Sequence, residues 1–107
     1  MAANNINREQ FEQLLHGEMP VLVDFWAPWC GYCRRIGPAY DKVAEEYGDQ
    51  IVVAKINTDK ELKLAEAEKI NVIPTLVLYK GGKRLASIVA PESKAVIEQF
   101  IRENLER

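Results

Sequence analysis

Six residues, Val21-Leu22-Val23-Asp24-Phe25-Trp26, form an almost unbroken apolar run that stops short of Pro28 and gives way to a helical pattern. Such a run reads as a strand covered on both faces, so the fold must supply a layer above it and a layer below. From Cys33 onward, Ile36, Tyr40, Val43 and Tyr47 recur at three- and four-residue steps, one face of a helix. A buried strand passing directly into an amphipathic helix belongs to layered α/β architectures. Both cysteines of the chain, Cys30 and Cys33, lie at this junction.

The junction also says what chemistry to look for. At a helix N-terminus the unpaired amides and the positive end of the dipole bias a cysteine toward thiolate. Cys33 falls on the buried stripe, which predicts Cys30 at the exposed tip. An activated thiol with a protected partner in bonding reach is what thiol–disulfide exchange needs. Two cysteines at CxxC spacing otherwise point to a metal, but zinc wants four ligands and the chain adds only His16. No metal is expected.

The chain of 107 residues is long enough for one core and not for two, so a single domain over 1–107 is expected. A net charge of −2 with mixed signs gives no reason to invoke nucleic acid or an anionic membrane. No apolar run is long enough to span a bilayer, and Met1 to Arg8 contains no apolar signal core. These features predict a cytoplasmic protein.

Asn7 and Gln10 have the spacing of a capping box and predict a first helix over about Arg8 to Leu15, with Phe11, Leu14 and Leu15 inward. Any strand before Ile6 must be short. Ile51 to Ile56 predicts another buried strand, interrupted only by Lys55. Thr58 to Glu61 resembles a second capping box, before a helix through about Lys69 that carries Leu62 and Ala65. Thr75 to Tyr79 and Arg84 to Val89 predict strands joined by a hairpin turn at Gly81-Gly82. Pro91 and Ser93 open a last helix with Val96, Ile97, Phe100 and Ile101 on one face. The order (β)αβαβαββα predicts parallel strands joined by helices, finished by an antiparallel hairpin and a covering helix. The lone acid Asp24 and lone base Lys55, in two neighbouring buried strands, either pair or reach solvent at strand ends, or share a polar pocket under the thiols. Burial predicts a carboxyl pKa for Asp24 above its ordinary value, with Lys55 opposing the rise.

The whole layout resembles thioredoxin. The resemblance is carried by Val23 to Ala27 before Trp29-Cys30-Gly31-Tyr32-Cys33, by Pro38, by Val53 to Asn57, and by Ile73-Pro74-Thr75. It implies an α/β thioredoxin fold, a central mixed sheet of four to five strands flanked by helices on both faces. It implies a protein-disulfide oxidoreductase in which Cys30 attacks, Cys33 resolves, Asp24 takes or returns the proton of Cys33 through water, and Lys55 tunes Asp24. Pro74 is implied to be cis and stacked on the disulfide, and the Ile73 backbone to pair with an extended substrate. Trp26 is implied to pack beside the site. Trp29, Gly31, Tyr32, Ile73, Pro74 and Ala90 make the substrate surface. The implied partners are protein disulfides and a flavin-dependent thioredoxin reductase, with the chain a monomer and the Cys30–Cys33 pair working without a prosthetic group.

Three residues depart from the family's usual pattern. Tyr32 stands where proline is usual, Ala90 where a groove glycine is common, and Val72 where a glycine often precedes Ile73-Pro74. Tyr32 keeps an amide N–H that proline lacks. If that N–H points at Cys30 it stabilises the thiolate and makes the couple more oxidising. Tyr32 also suggests a glutathione-linked oxidoreductase, although no pocket for the charged ends of the tripeptide is evident. A non-enzymatic interaction module of the same fold has little use for both thiols and the buried acid together.

Overall fold

In a computed structural model, residues 3–106 are described. Five strands and four helices follow the expected order: β1 (Asn4–Asn5), α1 (Arg8–Leu15), β2 (Val21–Trp26), α2 (Gly31–Tyr47), β3 (Val52–Asn57), α3 (Leu62–Ala67), β4 (Thr75–Lys80), β5 (Lys83–Val89) and α4 (Lys94–Leu105). The strands form one mixed sheet in the order β1-β3-β2-β4-β5. β1 and β2 run parallel to β3, while β4 runs antiparallel to both β2 and β5. β2 therefore lies at the centre, and its C-terminal end delivers the chain to the cysteines.

Alternation along β2 sorts its side chains between two layers. Val21, Val23 and Phe25 pack with Phe11 of α1, Leu64 of α3 and Tyr79 of β4. Leu22 faces the other way, among Ile36, Tyr40 and Val43 of α2 and Ile97, Phe100 and Ile101 of α4. By the same alternation Asp24 and Trp26 share the face covered by α2. The Gly81-Gly82 turn has φ of 60° and 77°, which glycine adopts without Cβ strain and which suits a two-residue hairpin. Between Leu78 and Tyr79 the β4–β5 register slips past Leu85, an extra residue that is 40% exposed.

The Asn7–Gln10 capping box forms as expected, with Gln10 N donating to Asn7 Oδ1 at 2.8 Å and Asn7 N to Gln10 Oε1 at 2.9 Å. The second expected box does not form. Asn57 takes that role, its side-chain oxygen accepting from the amides of Asp59 and Lys60 in an Asx turn. α3 starts only at Leu62, capped by Glu61 with no side-chain bond. Leu62 is 64% exposed and not part of the core, because Leu64 and Ala65 occupy the buried face. α3 also ends earlier than expected. Lys69 adopts a left-handed φ of 58°, and Ile70 N donates back to Ala65 O, the closure of a Schellman motif.

Candidate active site

Beyond β2 the chain turns through Ala27, whose carbonyl accepts the amide of Cys30 at 3.1 Å. Cys30 is the N-cap of α2, in extended conformation, and its sulfur accepts from the amide of Cys33 at 3.2 Å. Cys30 and Cys33 are disulfide-bonded, with Cα atoms 5.2 Å apart. Spacing of three residues across a helix's first turn brings the two side chains to one side, so the bond closes without displacing the backbone. The Cys33 amide, one of the orphans of that turn, faces the sulfur of Cys30, where a thiolate would gain from it.

Two expectations at the turn need correction. Cys30 is not an exposed tip: it is 8% exposed against 4% for Cys33, since Ala27, Trp26, Tyr32 and Ile73 pack around the pair. What is exposed is the rim, Gly31 and Trp29, the latter at 68%. Nor is the Tyr32 amide the donor to the Cys30 sulfur. Among the described residues that donor is the Cys33 amide, so the conditional expectation of a more oxidising couple loses its geometric basis. Tyr32 acts instead through its side chain, its hydroxyl donating to Pro91 O at 3.1 Å.

Two further segments meet the turn. The Ile73–Pro74 peptide is cis, and the Ile73 carbonyl oxygen lies 3.9 Å from Cys30 Sγ. Pro74 O accepts the amide of Ala90 at 2.9 Å, which ties β4 to the end of β5 at the site. Ala90 has φ of 45°, a left-handed conformation unusual for a residue with a Cβ and in keeping with a position where the family favours glycine. On the other side of the turn, Trp29 donates to Asp59 Oδ1 at 3.2 Å. There a cleft of about 290 Å³ opens between Trp29, Leu62, Val72 and Ile73. Cys30, Cys33, Gly31, Tyr32, Ile73, Pro74, Ala90 and Trp29 are thus brought to one end of the sheet.

Asp24 and Lys55 stand side by side in the β2–β3 register. Asp24 is 1% exposed, and its Oδ1 has no hydrogen-bond partner. Burial pushes its carboxyl up to about 7, Lys55 pulls it down and Asp41 adds a smaller push upward. Lys55 does not neutralise it by direct contact. Its ammonium lies 4.6 Å from the centroid of the Trp26 ring, a cation–π contact. The Trp26 indole is held in turn by Asn5 Oδ1 at 2.8 Å. Among the described residues, no hydrogen bond or ion pair joins Asp24 to Lys55 or to Cys33. Asp24 is therefore shut off from solvent, Lys55 is half-buried, and the two form no simple salt bridge. Sequence reasoning passed over Asn5, Asp59 and the Pro91 carbonyl; the first two carry no pattern, and a carbonyl is independent of residue type.

The thioredoxin family model matches residues 2–103. Thioredoxin 1 of Nostoc sp. is 40% identical over 105 residues, covering 97% of this chain and 98% of that one. The chain belongs to the thioredoxin family. Thioredoxin of Alicyclobacillus acidocaldarius is similar at 36% identity, over 98% of this chain and all of its own length. The solved structure of Malassezia sympodialis thioredoxin superposes with a TM-score of 0.86 at 30% identity, covering 96% of this chain and 90% of that one. With the disulfide at the CxxC pair, membership makes the protein a thiol–disulfide oxidoreductase that exchanges Cys30–Cys33 with protein disulfides. Protein disulfides and a reductase are its partners as a thioredoxin. Among the described residues no cluster of three or more His, Cys, Asp or Glu is placed to hold a metal ion, and no helix is long and apolar enough to cross a membrane.

Proposed function

We propose that Cys30 is the attacking nucleophile and Cys33 the resolving thiol. Cys30 thiolate attacks one sulfur of a substrate disulfide; a Cys30–substrate disulfide forms and the other substrate sulfur leaves as thiolate, to take up a proton. Cys33, having lost its proton, then attacks Cys30 Sγ. The Cys30–Cys33 disulfide forms and the second substrate sulfur leaves. Two electrons have passed from the protein to the substrate, and a reductase must return them. The observation that carries the assignment is the Cys33 amide donating to Cys30 Sγ at the N-cap of α2, a place that stabilises a thiolate on Cys30 and not on Cys33.

In this mechanism Asp24, its carboxyl near neutrality, accepts the proton of Cys33 through water and Lys55 tunes it from the neighbouring strand. Trp29, Gly31, Tyr32, Pro74 and Ala90 form the surface that receives the substrate, and the Ile73 backbone beside the sulfur pairs with its extended chain. The dithiol works without a prosthetic group, in one domain over 1–107 and as a monomer. The reductase is flavin-dependent and the compartment the cytoplasm, where reduced thiols prevail. No nucleic acid or membrane takes part, as the mixed charge supports.

Cys33→Ser should accumulate mixed disulfides through Cys30, because the resolving step is gone, and Cys30→Ser should trap nothing. Mass spectrometry of the trapped species and alkylation rates of the reduced protein check this. A Cys33→Ser protein that traps no substrate, or a Cys33 alkylated faster than Cys30, overturns the assignment.

A further inference from the structure

Tyr32 is fixed on three sides. Its ring packs against the Ala27, Cys30 and Cys33 cluster, the Arg35 guanidinium stands 5.9 Å from the ring centroid, and its hydroxyl donates to Pro91 O at 3.1 Å. The acceptor is held as well, since the preceding residue, Ala90, donates its amide to Pro74 O at 2.9 Å. Pro74 follows Ile73, whose carbonyl lies 3.9 Å from Cys30 Sγ. These contacts close a ring around one side of the disulfide, from the active-site turn to the loop between β5 and α4 and back. The other side is open: Trp29 is 68% and Val72 50% exposed, on either side of the cleft of about 290 Å³.

We propose that Tyr32 is a specificity-determining residue. The Tyr32–Pro91 bridge narrows the groove between the active-site turn and the β5–α4 loop, so the Trp29–Val72 side is the wider approach to Cys30. Disulfides set in bulky folded surfaces are held back relative to those in small molecules. A small disulfide passes the narrowed groove, whereas a folded surface must either fit it or break the bridge. Proline, with no hydroxyl and a short ring, could not build this wall.

The inference rests on Cys30 as the nucleophile, and its test separates the two. The reduced natural protein, Tyr32→Phe and Tyr32→Ala are each assayed for kcat/KM with bis(2-hydroxyethyl) disulfide and with insulin. The ratio of the two values cancels any change in the reactivity of Cys30 itself. Tyr32→Phe should raise the insulin-to-small-disulfide ratio by about two- to tenfold, the range expected for releasing one neutral hydrogen bond. Tyr32→Ala should raise it at least as far. A ratio that stays level or falls in Tyr32→Phe overturns the inference, while Cys30 keeps its role if Cys30→Ser reduces neither substrate. Full activity in Cys30→Ser would remove the mechanism and the inference together.

Discussion

Tyr79 on β4 and Asp24 on β2 each bring a polar group into the packed interior, and the fold treats them in opposite ways. The Tyr79 hydroxyl donates to Glu68 Oε1 at 2.5 Å, and Arg84 in turn binds the Glu68 carbonyl. Its ring meets Phe11 edge-on at 5.2 Å. Asp24, as deeply buried, keeps an oxygen with no partner, while the nearest cation is turned onto Trp26. On the same face the Tyr40 hydroxyl is satisfied, donating to Ala54 O at 2.7 Å. Tyr79, at the end of the sheet away from the cysteines, has its polar group satisfied. The one on the site's own strand is held where it weakens the fold and titrates near neutral pH. In the proposed mechanism that titration is its use.

Replacing Asp24 should show the largest effect on the fold. A carboxyl raised from 3.8 to about 7 is charged at neutral pH only against the preference of its surroundings. At about 1.4 kcal/mol for each pH unit, the rise corresponds to roughly 4 kcal/mol above both values. Because the folded pKa is the higher one, the unfolded chain releases its proton first. Stability therefore falls as pH climbs from about 4 to about 7 and then levels off. Asp24→Asn should raise the unfolding free energy at neutral pH by up to about 4 kcal/mol, with the gap closing toward pH 4. Denaturant unfolding across that range reads it. The same variant should resolve mixed disulfides about tenfold more slowly, since water must accept the proton in its place. A variant that is less stable and fully active would make Asp24 a structural residue like Tyr79.

Replacing Tyr79 should act in the other direction and more weakly. Tyr79→Phe keeps the ring against Phe11 and loses one bond to a carboxylate, which should cost about 1.5–3 kcal/mol. Burial and the Glu68 carboxylate hold the Tyr79 hydroxyl protonated well beyond the ordinary tyrosine range. The loss should therefore be the same at pH 6 and pH 9 and leave disulfide exchange unchanged. A pH-dependent loss, or a variant as stable as the natural protein, would erase the contrast between the two centres.

Most of the fold was legible because it follows from periodicity. The limits of β2 and α1 agree with the apolar run and with the Asn7–Gln10 box. The second box misled because the groups it would use are bonded elsewhere: the amide and hydroxyl of Thr58 both donate to Trp26 O, and Glu61 N donates to Asn57 O, a competition between local bonds that residue spacing does not resolve. Leu62 misled for a related reason: without that cap the helix begins later and turns a different face inward. At the site, the bonding reach of the two cysteines and a buried Asp24 were readable from the residues, and the cis Ile73–Pro74 bond came through the family resemblance. The burial of Cys30 was not readable, since it depends on Ile73, distant in sequence, closing over the pair together with Trp26, Ala27 and Tyr32. The same holds for the bridge from Tyr32 to a backbone carbonyl and for the turning of Lys55 onto Trp26.

The contrast between the two centres stands or falls on the charge state of one carboxyl. The side-chain carboxyl carbon of Asp24, followed by nuclear magnetic resonance from pH 3 to pH 9 in the oxidised protein and assigned by its loss in Asp24→Asn, reports that state directly. An unpaired, buried Asp24 should titrate with a midpoint near 7. A midpoint at or below 4 would mean that Asp24 is charged and stabilised throughout, paired with Lys55, and would contradict the account.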